Sequence, residues 1–138
     1  MKRRQTWIML ATLVTAVAVV VVFRLATHEE LFNQLEAKLQ QAVDADPKGH
    51  VSVSETVRRF VPIGISLAEA TARLEQSGFR FQKANPGAVQ PGFDARYVGR
   101  KTSNVAWQVV VYYEYEIVFE VLKGNVEDVW GQAVRRAM

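Results

Sequence analysis

Three rhythms of apolar and polar residues divide this chain. From Trp7 to Phe23, 17 residues run without a charge; from His28 to Val43 apolar residues recur every three or four positions; from Val105 to Val121 every odd position is apolar or aromatic. The first run is just long enough to be a membrane-spanning helix, which needs roughly 17 to 25 apolar residues at about 1.5 Å each. In the second, Leu31, Leu35, Leu39, Ala42 and Val43 form a stripe, with Glu36, Lys38, Gln40 and Gln41 between them. That spacing predicts an amphipathic helix, continuing the span as a stalk over residues 25–46. The stripe either packs on the domain that follows or pairs with a second copy as a homodimer; little more than two heptads favours the first. The third rhythm predicts a strand with one buried face. Seventeen residues at about 3.3 Å would extend roughly 55 Å, so a bend or turn is expected near Tyr113 to Tyr115.

Shorter signals fill the interval. Asp46, Pro47 and Gly49 suit a turn that stops the stalk helix. After Val51, Val53 and the stretch Phe60 to Gly64, Ser66 and Glu69 have the spacing of a capping box, in which hydroxyl and carboxylate reciprocally satisfy free backbone N–H groups. Leu67, Ala70, Thr71 and Leu74 give this helix an inward face, and Gly78 ends it. Phe79 and Phe81 alternate with Arg80 and Gln82, so a strand follows at once. Asn85-Pro86-Gly87 and Pro91-Gly92 break the chain, and Lys123-Gly124-Asn125 makes a hairpin that returns Val126 and Val129 to the sheet. The expected fold is α+β: an N-terminal transmembrane helix, then a two-layer domain of one or two helices on an antiparallel sheet of three or four strands. Its parts are a cytoplasmic tail (1–6), the anchor (7–24), the stalk (25–46) and the domain (50–138).

Charge fixes the expected topology. Lys2, Arg3 and Arg4 precede the span, whereas Arg24 is followed closely by Glu29 and Glu30, so the N-terminus stays in the cytoplasm and the domain lies in the periplasm or outside. The alternative is a cleaved signal peptide, since Ala16-Val17-Ala18 has the small-x-small form. Four valines and Phe23 would then follow the cut, which favours an uncleaved single-pass anchor in the inner membrane. Of the 17 Lys and Arg, four belong to the leader, leaving 13 against 14 Asp and Glu, a balance of −1. The basic character is thus a topology signal and gives no reason to expect a nucleic-acid partner. The absence of cysteine excludes disulfides, lipid attachment through a thioether and thiolate chemistry.

Candidate chemistry is sparse. Asp44, Asp46, Gly49, Val51 and Glu55 match positions 1, 3, 6, 8 and 12 of a calcium loop, but Lys48 stands where an oxygen ligand is needed, so a helix stop and turn is the favoured reading and no metal is expected. Glu114, Glu116 and Glu120 share the even face of the long strand with Tyr112. Opposite an apolar face such a row is normally wet rather than catalytic. Tyr112, Tyr113, Tyr115 and Trp107 are expected to pack the sheet, and Arg58-Arg59 and Arg135-Arg136 to be solvated. His28 and His50 have no catalytic spacing, and none of the familiar hydrolase, zinc or nucleotide-binding motifs occurs.

The stretch Phe60 to Ala70, with Leu74 and Gly78-Phe79, resembles the BamE-like (SmpA/OmlA) module of outer-membrane assembly lipoproteins. In that module a Pro-Gly-x-Ser/Thr turn opens a helix packed on a three-stranded sheet, and its last hairpin is similar to Ile117 through Val126. The spacing Gly64, Ser66, Glu69, Ala70, Leu74 and Gly78-Phe79 is also similar to the PASTA module of cell-wall-sensing ectodomains. Either resemblance implies a small envelope domain. The expectation is a non-enzymatic, cofactor-free protein that binds other envelope components through Leu31, Leu35 and Leu39 of the stalk, the sheet edge, and Tyr112, Glu114 and Glu116. A calcium- or wall-sensing module is the alternative.

Overall fold

In the computed structural model of the protein, residues 34–104 and 111–137 are described, together with Ala18, which is helical. The chain divides after Leu31 into two units, and the folded domain lies in the second. The predicted span thus lies, Ala18 apart, outside the described residues; among these no helix is long and apolar enough to cross a membrane.

Helix α1 occupies 34–45, α2 Ser54–Phe60 and α3 Leu67–Glu75. The strands are β1 His50–Ser52, β2 Arg80–Lys83, β3 Ala95–Asn104, β4 Val111–Leu122 and β5 Asn125–Ala137. They form one antiparallel sheet in the order β1-β5-β4-β3-β2. The domain is α+β as expected, but with three helices and five strands where one or two helices and three or four strands were predicted. The uncounted elements are α2, β1 and β3. Around α2, Val53, Val57, Phe60 and Val61 have helical spacing, but seven residues are too short a run for the period to stand out in the sequence. The turn expected near Tyr113 to Tyr115 is absent, because β4 runs unbroken through both tyrosines. The β3–β4 ladder extends to the pairing Asn104↔Tyr112, and the predicted strand positions from Val105 to Val109, Trp107 among them, lie outside the described residues.

The apolar rhythms decide the layering. Tyr113, Tyr115, Ile117, Phe119 and Val121 are all buried on the odd face of β4, and they share one core with Leu35, Leu39 and Val43 of α1, Val57 of α2, and Ala70 and Leu74 of α3. All three helices therefore cover one face of the sheet and leave the other uncovered among the described residues. The α1 stripe packs on its own domain, with Leu35 and Val43 fully buried and Leu39 nearly so; Leu31 lies outside the described residues.

Local chemistry closes each element where the sequence places it. Asp46 Oδ1 accepts from Lys48 N at 2.7 Å and ends α1 in a turn. Ser66 Oγ caps α3 by accepting from Glu69 N at 3.2 Å. Only this half of the capping box forms, because the Glu69 carboxylate is taken by Arg73 one turn on. Gly78, at φ +86°, ends the helix in the left-handed region. Lys123 and Gly124, at φ 52° and 81°, make a two-residue β4–β5 turn with both centres left-handed, the geometry that matches strand twist. A register shift at Glu120 and Val121 then inserts one extra residue, Glu127, into β5. This bulge explains how Val126 and Val129, three apart, both face the core.

Candidate functional site

The uncovered sheet face is built from cross-strand rows. Its registers place Arg100 beside Glu116 and Glu116 beside Gln132, with Thr102, Glu114 and Val134 in the next row and Val98, Val118 and Trp130 in the row on the other side. Arg100 Nε donates to Glu116 Oε2 at 2.9 Å, and Gln132 Nε2 donates to Glu116 Oε1 at 3.2 Å. Gln132 Oε1 lies 3.2 Å from His50 Nε2, so one polar ladder crosses β3, β4, β5 and β1. Arg136 Nε donates to Glu114 Oε2 at 3.1 Å. Arg100, Glu114, Glu116, Gln132 and Arg136 are among the residues that line a shallow hollow of about 310 Å³.

The face is not uniformly wet, contrary to the expectation from alternation alone. Val118 and Glu120 are each only 1% exposed. Val118 stands between Val98 and Trp130, and Glu120 between Arg96 and Asp128, so bulky neighbours on both adjoining strands close over them. Arg96 Nε donates to Glu120 Oε1 at 2.6 Å, and the same oxygen also receives Arg96 Nη2, while Glu120 Oε2 is buried without a partner.

Of the predicted binding residues, Tyr112, Glu114 and Glu116 are brought together here, half-buried on one face. Leu35 and Leu39 are spent in the core instead. The face also holds Arg96, Arg100 and Gln132, which sequence reasoning did not single out, and Arg136, which it expected to be solvated and which pairs with Glu114. The alternation Asp128, Trp130, Gln132, Val134, Arg136 could have revealed the β5 members. The calcium-loop acids do not converge: Asp44 accepts from the Tyr113 hydroxyl at 2.6 Å, Asp46 closes its turn, and Glu55 pairs with Arg59. Among the described residues no group of three or more His, Asp or Glu could hold a metal.

On the helix side two acids fasten α1 to the sheet. Glu36 accepts from Lys101 Nζ at 2.5 Å and from the Ser103 hydroxyl, while Lys101 also donates to Ser77 O at 2.6 Å. Burial pushes the Glu36 carboxyl up, but the hydrogen bonds from Lys101 and Ser103 and the Lys101 charge outweigh it and hold the group below its ordinary value of 4.5. Tyr113 is pushed up by its bond to Asp44 and by burial, and Tyr115 is pushed up chiefly by burial. Because the Glu36 pKa falls on folding, its contribution is present above the unfolded value and lost as pH drops through the folded one. Glu36→Gln should therefore flatten the fall in stability below about pH 4.5, read from urea midpoints across an acid series; an unchanged slope would assign that fall to other acids.

Chemically, the uncovered face offers hydrogen-bond donors and acceptors already matched to one another. Each of its glutamates is held by a guanidinium. Such a surface can exchange internal pairs for those of a partner. The sequence matches no protein family, and comparisons with curated proteins and with solved structures return no match.

Proposed function

We propose that this chain is a single-pass inner-membrane protein that holds a small α+β domain outside the cytoplasm and works by binding other envelope components, without catalysing a reaction. The observation that carries the reading is the leader, in which three basic residues precede 17 uncharged ones. The uncovered face supports the binding half, because its carboxylates are engaged by arginines and a row of Val98, Val118 and Trp130 gives it apolar area to bury. The resemblance to BamE-like envelope modules points the same way.

Topology tests the first half. The chain has no cysteine, so Glu127→Cys, at an exposed position, introduces a single reporter. A membrane-impermeant maleimide should label it in cells whose outer barrier is opened and whose inner membrane is intact. Labelling only after the inner membrane is lysed would reverse the orientation, and recovery of the chain without detergent would remove the anchor. For the second half, cross-linking in intact membranes should capture an envelope protein, and repeated recovery of the uncoupled chain would defeat the binding role.

A further inference from the structure

We infer that the β2 edge of the sheet is a docking site for an extended, acidic segment of a partner protein, which adds to the sheet as a sixth strand. The inference rests on the binding role proposed above and gives it a place and a partner chemistry. β2 is last in the strand order, and among the described residues nothing pairs with its outer side. Ala84 N donates to Arg96 O at 2.8 Å, and the register pairs Gln82 with Val98 and Arg80 with Arg100. The even positions therefore carry the ladder to β3, and the main-chain N–H and C=O groups of Phe81 and Lys83 point away from it. An edge of this kind is a template for strand addition, in which main-chain bonds supply affinity and side chains on the two faces supply selection.

The side chains select for acid. β2 reads Arg80-Phe81-Gln82-Lys83, with no acidic residue, and among the described residues neither Arg80 nor Lys83 forms an ion pair. A second copy of this chain is a poor occupant. Antiparallel pairing centred on Phe81 would set Arg80 against Gln82 and Lys83 against Phe79, and pairing centred on Gln82 would set Lys83 against Phe81, so in neither register does a cation meet an acid. A strand with carboxylates on the face that Arg80 shares with Gln82 supplies Arg80 with that partner, while Lys83 stands on the opposite face beside Phe81. On the other face Phe81 is half-buried, its ring stacked on Phe119 at 5.0 Å and 13°, and it offers an apolar shelf to an aliphatic residue of the incoming segment. The occupant is thus an extended segment with acids on one face and aliphatics on the other.

The test uses the full chain in detergent micelles with a capped octapeptide of alternating Glu and Val, and the alternating Lys and Val octapeptide as control. The Glu peptide should slow amide exchange at Phe81 and Lys83, and the Lys peptide should not. Lys83→Pro, which deletes an N–H that β3 does not use, should abolish the protection. Should the proline disturb the fold, the charge swap Arg80→Glu/Lys83→Glu serves instead. It should weaken the Glu peptide by roughly tenfold or more and admit the Lys peptide. Equal protection by both peptides, protection by neither, or protection centred on β1 and β5 overturns the assignment. So does sedimentation showing that the chain dimerises through residues 80–83. A partner cross-linked in membranes with the β2 amides unprotected would overturn this edge alone and leave the binding role standing, whereas failure to capture any partner counts against the binding role.

Discussion

Arg96→Met is expected to lower the stability of the domain by about 3 to 5 kcal/mol, the cost of leaving a buried charge without its partner. Glu120 is 1% exposed, and among the described residues the only hydrogen-bond partner of its carboxylate is the Arg96 guanidinium, both of whose contacts fall on Oε1. Oε2 is already buried and has no partner among the described residues, so none of them stands ready to take over as a second donor. Since small domains are stable by about 5 to 15 kcal/mol, the single variant should unfold at a much lower urea concentration or fail to accumulate. The converse is as informative. Replacing the pair together, Arg96→Met with Glu120→Leu, removes the desolvation cost along with the Coulombic gain and should recover most of the loss. Urea midpoints of the two singles and the double make a complete cycle. If Arg96→Met costs less than about 1 kcal/mol, the pair is solvated in a way its burial contradicts.

The contrast between β4 and β3 explains what could be read in the sequence. β4 alternates because its odd residues meet helices and its even residues mostly meet other side chains of the uncovered face. β3, just as central, carries no such pattern, because its core-face positions are served by borrowed groups. At Gly99 the space a side chain would fill is taken by the Phe81 ring, which would lie 2.4 Å from an added Cβ. At Lys101 and Ser103 the polar side chains are half-buried and bonded to the Glu36 carboxylate of α1, some 65 residues away in sequence for the lysine. A long-range ion pair and a glycine filled by its neighbour leave no local trace, so β3 and with it the fifth strand were hidden. The candidate face suffered likewise: Tyr112, Glu114 and Glu116 are legible from β4 alone, but the arginines that hold the glutamates sit on β3 and at the end of β5. By contrast the α3 cap, the Gly78 stop and the Lys123-Gly124 turn depend on residues within a few positions of each other, and each forms where the sequence puts it.

Leu39→Ala should cost about 2 to 5 kcal/mol, and the loss should not depend on protein concentration. Leu39 is nearly fully buried in a core that also contains Leu35, Val43 and the odd face of β4, so its truncation leaves a cavity lined by side chains that cannot all collapse into it. Gln41→Ala, at an exposed position of the same helix, should stay within about 0.5 kcal/mol of the parent. The pair of variants separates two fates for the stalk stripe. A helix spent on its own domain gives a large, concentration-independent effect at Leu39. A helix that also closes a homodimer gives an unfolding midpoint that rises with concentration in the parent and loses that rise in the variant. The Glu36 and Asp44 contacts favour the first outcome, since they fix both ends of α1 to β3, β4 and β5 of the same chain. Concentration-dependent midpoints in the parent would return the stripe to the interface role and reopen Leu35 and Leu39 as contact residues.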